Sequence, residues 1–391
     1  MTTPSKSQDL LCFSHLRWNF VFQRPQHLMS RFAKTRRVFF IEEPLFEPDS
    51  PDYLRHTVCS RTGVHVLTPV LAHEQDASSD RIKQLVQSYL KSEKVSEPIV
   101  WFYSPMCLDS FPADTPASAV VYDCMDELSL FKGAPPRLHV NEAELMKMAD
   151  LVFTGGVSLF EFKRSRHPRV YPFPSGVDIA HFAQARASCG EREEQAGIPH
   201  PRLGYAGVID ERMDLQLIAE AAQRRPDWHF IMIGPVVKID TGSLPRAHNL
   251  HWLGMQDYHN LPEFFAGWDL AIMPFAINDA TRFISPTKTP EFLAAGLPVV
   301  STPVRDVVRP YGELGLARIA TNAKEFVDAA EQAMAFTMGM KWRERADAFL
   351  ETMSWDSVWS SMNALVEELL SSRQARVDAG VTSIEGEEAR V

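Results

Sequence analysis

Residue types that suit a phosphate and sugar hydroxyls occur together in the segment Ser285–Val304, SPTKTPEFLAAGLPVVSTPV. Pro286 and Thr287 are typical of a loop before a helix, whose first backbone N–H groups lack internal partners and therefore favour an anion. Lys288 adds a positive charge at the same place. Glu291 follows about one helical turn later on the same face, where its carboxylate could accept both hydroxyls of a ribose. The segment therefore predicts a site for a phosphorylated sugar donor.

A glycine turn lies upstream of this segment. Gly207 follows a predicted strand and precedes a predicted helix, so its backbone could approach a ligand closely. Arg212 is the nearest cation and could pair with a diphosphate, although a solvated charge at a helix start is an equal alternative. Gly234 and the pair Gly254 and Met255 follow the next two strands, where ligands of parallel sheets bind, so they predict the place of a nucleotide base. Plain turns would explain these residues equally well.

Polar and aromatic residues also follow the first predicted strand of the chain. His15, Arg17 and Trp18 come directly after it, and Arg24 lies in the next helix. These residues are candidates for sugar stacking, acceptor binding or support of a leaving phosphate. The alternatives are a hydrophobic plug for Trp18 and a helix-surface position for Arg24.

Carboxylates end another predicted strand, at Asp123 and Asp126. Strand ends are where α/β enzymes display reactive groups, and Asp126 is the best candidate for an active-site carboxylate. It could deprotonate an acceptor hydroxyl if the reaction inverts configuration, since that displacement needs a general base within hydrogen-bond reach. Capping of a helix N-terminus by Asp123 or Asp126 is the alternative.

The elements that would position these residues follow a β-α-β rhythm, which predicts parallel sheets. The rhythm occurs twice, so we expect two Rossmann-like halves. The predicted strands are Leu10–Phe13, Val38–Ile41, Ile99–Tyr103, Ala119–Tyr122 and Leu151–Phe153, then Leu203–Tyr205, Phe230–Ile233, Leu250–Leu253, Leu270–Met273, Val299–Val300 and Ala317–Ile319.

The domain organisation follows from this rhythm and from breaks in it. A polar stretch separates the halves, a final helix from about Trp355 to Leu370 carries a one-sided apolar stripe, and the tail is polar enough to predict disorder. The expected parts are a first domain (1–182), a linker (183–200), a second domain (201–353), the final helix (354–372) and a disordered tail (373–391).

Composition excludes several other classes of protein. The 391 residues suffice for two domains, each with its own core. With 40 Lys and Arg against 50 Asp and Glu, the field of the chain would repel nucleic acid. Five cysteines without a CxxC pair favour reduced thiols and a cytoplasmic protein. No signal peptide is evident, and the longest apolar run, around Leu270–Ile277, is too short to cross a bilayer.

The chain resembles a known family. Its segment Ser285–Val304 is similar to the donor-site signature of GT-B glycosyltransferases, in particular the retaining family-4-like group (glycosyltransferase group 1) that uses nucleotide sugars. Further similar segments are Tyr205–Arg212 for the glycine turn, Asp150–Phe153 and Pro174–Asp178 for the end of the first domain, and Ser354–Trp355 for the start of a helix that returns to the first domain.

This resemblance implies a GT-B fold and a nucleotide-sugar donor, UDP- or GDP-linked, which is a substrate, so that no cofactor is expected. No metal is expected either, because the donor turn lacks a DxD carboxylate pair. Together with the residue patterns it assigns donor binding to Gly207, Arg212, Gly234, Gly254, Met255, Ser285, Pro286, Thr287, Lys288 and Glu291, catalysis to Asp126, His15 and Lys288, and acceptor binding to Arg17, Trp18 and Arg24.

The chain departs from the family at two positions. Retaining members usually carry a sugar-contacting glutamate eight positions before the ribose-binding one, and Phe283 stands there. The basic residue that usually follows the turn glycine is replaced by Val208, for which Lys288 could compensate. If the enzyme retains configuration, the resemblance implies that the leaving diphosphate receives the acceptor proton and that Asp126 orients sugar hydroxyls.

The predicted function is transfer of a sugar to a glycan or lipid-linked acceptor in surface polysaccharide biosynthesis. The stretch Phe160–Arg169 is basic and partly aromatic, so peripheral contact with anionic lipid is one interpretation, and the favourable effect of cations at a helix C-terminus is the other. Two alternative functions stay open: a nucleotide-sugar epimerase of the same fold, and a non-catalytic subunit that binds a sugar or a partner enzyme.

Overall fold

Two largely parallel β-sheets, connected by helices, form the core of the protein. The computed structural model describes residues 8–73, 79–112, 115–187, 190–335 and 340–388. The prediction of an α/β protein with two Rossmann-like halves is confirmed. None of the helices in these ranges combines the length and apolar character needed to span a bilayer.

The first sheet has nine strands among the described residues, in the spatial order β3-β5-β2-β1-β6-β7-β8-β9, with β4 antiparallel to β5. Its central strands are buried on both faces, which explains their continuous apolar sequences. The strands are β1 (Leu10–Phe13), β2 (Val38–Ile41), β3 (Leu45–Phe46), β4 (Tyr53–Val58), β5 (His65–Leu71), β6 (Ile99–Phe102), β7 (Ala119–Cys124), β8 (Leu151–Thr154) and β9 (Val170–Pro172).

Helices cover this sheet and begin at recognisable signals. In the first of them, Gln23 and Gln26 form a reciprocal capping box and Pro25 occupies the first turn, where its missing N–H costs nothing. The helices are α1 (Arg24–Phe32), α2 (Ser79–Ser92), α3 (Arg137–Met148), α4 (Val157–Lys163) and α5 (Ile179–Phe182).

The second sheet has the order β12-β11-β10-β13-β14-β15, all parallel, with the switch in strand order beside β10. Ligands bind at such a switch point, beyond the carboxyl ends of the strands. The strands are β10 (Arg202–Ala206), β11 (His229–Ile233), β12 (Leu250–Gly254), β13 (Leu270–Met273), β14 (Val299–Ser301) and β15 (Ala317–Ile319).

Asp214 caps the helix that follows β10, since its carboxylate accepts a hydrogen bond from the Leu217 N–H at 2.8 Å. The helices of the second half are α6 (Glu193–Ala196), α7 (Leu215–Arg224), α8 (Leu261–Ala266), α9 (Lys288–Ala294), α10 (Arg305–Val307), α11 (Ala323–Ala335) and α12 (Met340–Glu351).

The last helix, α13 (Trp355–Glu388), crosses back to the first domain as predicted. Met362, Val366 and Leu369 are buried in the core of that domain. The expectation of a disordered tail from residue 373 is wrong for the part that the structure describes, because the helix continues. Arg373 forms an ion pair with Asp150 of the first domain, so polar side-chain pairs extend the helix beyond its apolar stripe.

Candidate active site

A cleft with a volume of about 360 Å³ lies between the two domains, at the carboxyl ends of both sheets. This size suits a small organic ligand. Residues of both domains and the first residue of α13 line it. The predicted site residues that line the cleft are Trp18, Arg24, Asp126, Gly207, Arg212, Gly234, Met255, Ser285, Pro286, Thr287, Lys288 and Glu291.

The loop Ser285–Thr287 and the first turn of α9 form one wall of the cleft. Nζ of Lys288 donates a hydrogen bond to Oε2 of Glu291 at 2.6 Å, which confirms that both side chains share one helix face. Burial raises the pKa of the Glu291 carboxyl, and the Lys288 charge opposes this rise. The Lys288 side chain is only 18% exposed, so it is not a solvated surface lysine.

Three glycines shape the adjoining wall through their backbones. The Gly207 N–H donates to the carbonyl of Ile233 at 2.9 Å, and the Gly234 N–H donates to the carbonyl of Gly254 at 2.8 Å. Gly234 has φ of +143°, and a Cβ added there would lie 1.8 Å from the carbonyl oxygen of Gly207. The two strand ends can approach each other because Gly234 carries no side chain, whereas a Cβ added to Gly207 would meet the Tyr205 hydroxyl at 2.7 Å. Gly254 contributes this hydrogen bond but is not among the cleft-lining residues.

Arg212 faces the cleft with its charge already paired. Its Nε and Nη2 donate to the Asp210 carboxylate at 2.9 and 2.7 Å, and its guanidinium lies 5.4 Å from the ring centre of Phe131 in the first domain. Burial lowers the pKa of Arg212, but the hydrogen bonds and charge of Asp210, with the charge of Asp126, outweigh burial and raise this pKa above its ordinary value. A ligand diphosphate would have to share the guanidinium with Asp210.

Arg24 of the first domain is buried and forms a bidentate ion pair. Its Nε and Nη2 donate to the Asp123 carboxylate at 3.0 and 2.9 Å, and its Nη1 donates to the Phe173 carbonyl at 2.7 Å. The helix-surface alternative for Arg24 is therefore wrong. A buried pair of this kind holds its partners rigidly, because breaking it would leave an uncompensated charge in the core.

Asp126 lies in the loop after β7 and faces the cleft. Burial raises the pKa of its carboxyl, while the nearby Arg212 charge opposes the rise. A carboxyl with a raised pKa in a cleft suits a proton acceptor or a hydrogen-bond partner of a sugar. The helix-capping alternative is wrong, since Asp123 lies in β7 and the short turn that follows, Leu128–Leu130, has Glu127 in its cap position.

His15 and Arg17 are not among the cleft-lining residues. Arg17 donates from Nη1 to the Glu42 carboxylate at 3.2 Å and to the Glu43 carbonyl at 2.6 Å, which ties down its loop. Burial lowers the pKa of His15 to about 4, helped by the Lys238 charge. Trp18 has a mixed position, because its ring packs on Phe40 with 5.0 Å between ring centres and it also lines the cleft.

Phe283 does not line the cleft either. Its ring stacks on Phe162 of the first domain, with 4.6 Å between ring centres and 21° between planes. The position that carries a sugar-contacting glutamate in the resembled family is thus an apolar contact between the domains.

The basic stretch Phe160–Arg169 is only partly available to a lipid surface. Lys163 is fully buried and forms ion pairs with Glu127 and with Glu142, the latter at 2.5 Å. Arg166 also pairs with Glu142, at 2.6 Å. Lys163 therefore does not contribute a lipid-facing cation to this stretch, because its charge is compensated inside the first domain.

The structure adds residues that the sequence analysis did not single out. Phe22 packs on Tyr258 of the second domain, with 5.1 Å between ring centres, and His27 stacks on Trp355 of α13, with 4.4 Å between ring centres. Aromatic rings from three parts of the chain therefore meet at one end of the cleft. Arg61 contacts His259 across the cleft, with 2.6 Å between Nη1 of the arginine and Nε2 of the histidine. Tyr258 follows the end of β12, so the strand-end rule that selected Met255 could have found it.

The protein has the GT-B architecture. Its two Rossmann-like domains face each other, a cleft lies between the carboxyl ends of their sheets, and the C-terminal helix returns to the first domain. Known proteins agree with this assignment. Residues 200–335 match the model of the family described as glycosyl transferases group 1, so the resemblance is confirmed over most of the second domain.

One curated relative is TuaH of Bacillus subtilis (strain 168), named as a teichuronic acid biosynthesis glycosyltransferase. It is 33% identical over 137 residues, which make up 34% of this chain and 34% of that protein. The chain thus matches about a third of the length of this relative.

Solved structures share the fold over nearly the whole chain. Sucrose-phosphate synthase from Thermosynechococcus elongatus superimposes with a TM-score of 0.70 and 14% identity, covering 94% of this chain and 100% of that one. The trehalose-6-phosphate protein from E. coli bound with UDP-2-fluoro glucose gives a TM-score of 0.67 and 13% identity, covering 93% and 99%. At these identities the likeness establishes the GT-B fold.

Proposed function

We propose that the protein is a glycosyltransferase that moves a sugar from a nucleoside-diphosphate sugar to a glycan acceptor. One observation carries the proposal: the Lys288–Glu291 pair and the loop before it line the same cleft as Gly207 and Gly234. A diphosphate joined to a ribose requires a cation for the diphosphate and a carboxylate for the ribose hydroxyls. It also requires backbone without side chains, which lets the ligand approach closely. The family match over residues 200–335 supports the same reaction class.

The Lys288–Glu291 pair would rearrange when the donor binds. Glu291 would accept hydrogen bonds from ribose hydroxyls, and Lys288 would turn its ammonium toward the diphosphate. Because the departing diphosphate gains negative charge, a cation held beside it lowers the barrier to sugar transfer. Arg212 lies in the same cleft and would add to this effect while staying paired with Asp210.

Asp126 is the first-domain residue proposed to act on the acceptor side. In an inverting reaction its carboxylate would remove the proton of the acceptor hydroxyl. In a retaining reaction, which the family resemblance favours, it would orient sugar hydroxyls while the diphosphate takes the proton. NMR assignment of the anomeric configuration of the first product formed decides between these roles.

The acceptor we propose is a growing polysaccharide or a lipid-linked glycan at the cytoplasmic face of the membrane. The relation to TuaH, named for teichuronic acid biosynthesis, supports a surface polysaccharide. Peripheral lipid contact would use the exposed residues of the stretch Phe160–Arg169, among which Phe162 is 45% exposed. Binding to vesicles of anionic lipid, compared with neutral vesicles, tests this part.

The donor site is tested by thermal unfolding with UDP-, GDP-, ADP- and dTDP-sugars, because a ligand that binds only the folded state raises the melting temperature. We expect one nucleotide class to stabilise the protein and Glu291→Gln to abolish the shift. Glu331→Gln, at an exposed position on α11, is the matched control and should keep the shift. Absence of a shift in well-folded wild-type protein would contradict the proposal.

The products distinguish the alternatives, neither of which the comparisons favour. An epimerase would convert the donor sugar without any acceptor, and a non-catalytic subunit would bind a nucleotide sugar or a partner without turnover. We expect nucleoside diphosphate release that an acceptor glycan accelerates. Chromatography of the nucleotide and sugar products over time measures it.

A further inference from the structure

The two domains meet at a second place, beside the cleft, where α4 of the first domain packs on the second domain. The carboxylate of Asp306, at the start of α10, accepts hydrogen bonds from the backbone N–H of Ser158 at 3.1 Å to Oδ1 and 3.4 Å to Oδ2. Asp306 is only 6% exposed and is not among the cleft-lining residues. A carboxylate of one domain therefore holds the backbone of the other.

Gly156 lies between this contact and the donor loop, Ser285–Thr287. A Cβ added to Gly156 would lie 2.3 Å from Oδ2 of Asp306 and 2.6 Å from Cβ of Ser285. The bare backbone of the first domain thus touches Asp306 and the first residue of the donor loop at the same time. A movement of α4 away from Asp306 would therefore also move Gly156 away from Ser285.

Two further contacts surround this point. Phe162 of α4 stacks on Phe283, and Glu161 of α4 pairs with Arg305. Both involve half-exposed side chains, with Arg305 50% and Glu161 39% exposed, so solvent weakens the ion pair. The buried Asp306 contact is the one whose loss would leave polar groups unpaired in the interface.

We propose that Asp306 is a positioning residue of the donor site: by holding α4 across the domain interface, it fixes Ser285 and the donor loop in the geometry that binds the nucleotide sugar. This inference rests on the proposed function and goes beyond it, because Asp306 itself does not reach the ligand. Coupling of this kind is reciprocal, so a nucleotide in the cleft must in turn strengthen the Asp306 contact with α4.

The test measures nucleotide affinity by calorimetry with UDP and GDP for wild type, Asp306→Ala and Asp306→Asn. We expect Asp306→Ala to weaken binding about tenfold, within the range usual for coupled sites. Asp306→Asn keeps one oxygen acceptor and should restore much of the affinity. Arg305→Ala is the matched control at the neighbouring residue and should change the affinity less than twofold.

Hydrogen exchange measured by mass spectrometry gives the reciprocal readout. Bound nucleotide should slow exchange in peptides containing Val157 and Ser158 in wild type and in Arg305→Ala, and should leave it unchanged in Asp306→Ala. A folded Asp306→Ala protein with wild-type affinity would overturn the inference while leaving the proposed function intact. Wild-type protein that binds neither nucleotide nor any nucleotide sugar would overturn both.

Discussion

At the scale of single residues, Gly234 is the glycine of the cleft wall with the least space for a side chain. Its φ of +143° and the 1.8 Å approach to the Gly207 carbonyl leave no room for a side chain. We expect Gly234→Ala to destabilise the protein by at least about 3 kcal/mol and to abolish nucleotide binding. Urea unfolding measures the first effect and calorimetry the second.

Gly254 provides the control for this prediction. It also has a positive φ, +67°, but no atom lies within 4 Å of an added Cβ. Gly254→Ala should therefore cost only the backbone penalty of about 1 to 2 kcal/mol. Equal losses for the two variants would show that the close approach to Gly207 has no energetic importance.

His15 predicts a dependence of stability on pH. Burial lowers its pKa to about 4, whereas an unfolded histidine titrates near 6.5. Between pH 6.5 and pH 4 the unfolded state binds a proton at His15 and the folded state does not. The free energy of unfolding therefore decreases as the pH falls from 6.5 toward 4. The loss reaches about 2 to 3 kcal/mol. Denaturant unfolding at several pH values measures it.

The comparison that isolates this effect uses His15→Asn, which cannot titrate. Buried carboxyls such as Glu291, whose pKa is raised, act in the opposite direction, since their folded form takes up protons first. The wild type should therefore lose more stability toward acid than His15→Asn does. His139→Asn, at an exposed position of α3, should behave as the wild type. Parallel curves for all three proteins would refute the assignment.

At the scale of elements, α13 joins the end of the second domain to the core of the first. Met362 is fully buried there and lies beside the Arg24 guanidinium, with 3.9 Å between Sδ and Nη2. We expect Met362→Ala to cost about 2 to 5 kcal/mol because it opens a cavity. Val377→Ala, 59% exposed on the same helix, should stay within about 0.5 kcal/mol of wild type in the same unfolding experiment.

Most strands that the sequence predicts correctly are buried on both faces, and the short edge strand Ala317–Ile319, with Arg318 exposed, is an exception. Leu10–Phe13, Val38–Ile41, Leu270–Met273 and Ala317–Ile319 coincide with their predicted ends. The strands that were missed lie near the edges of the first sheet. Tyr53–Val58 is largely exposed, and His65–Leu71 contains a proline, so neither shows a continuous apolar run or a regular alternation.

In the candidate site, too, some residues were predictable from the sequence and others were not. The wall formed by Lys288 and Glu291 was predictable because both residues belong to one helix turn with a fixed spacing. Arg61 was not, since it reaches the cleft from the unpredicted β4–β5 hairpin. Arg17 follows a strand end as a site residue would, yet it pairs with Glu42, and no local pattern reveals a partner so distant in sequence.

At the scale of the whole molecule, residues of both domains line the cleft, so the cleft depends on how the domains face each other. The contacts across the interface are mainly aromatic and polar, such as Phe22 with Tyr258 and Arg61 with His259. Interfaces of this composition permit relative domain motion. A donor that contacts both domains would therefore shift the protein toward the arrangement in which the domains close over the cleft. The size of the shift equals the difference in the donor's affinity for the closed and open arrangements.

Phe131 gives the sharpest test of this closure. Its ring, from the first domain, lies 5.4 Å from the guanidinium of Arg212 and 5.2 Å from the ammonium of Lys238, both in the second. Each contact contributes about 0.5 to 1 kcal/mol. Phe131→Ala should thus favour opening of the cleft by a factor of roughly 5 to 30.

Small-angle scattering measures this opening. The Phe131→Ala protein should have a larger radius of gyration than the wild type, and saturating nucleotide sugar should reduce that radius again. Phe46→Ala, at the edge strand β3, should leave the radius unchanged, and an equal radius for all three proteins would mean that this contact does not hold the cleft closed.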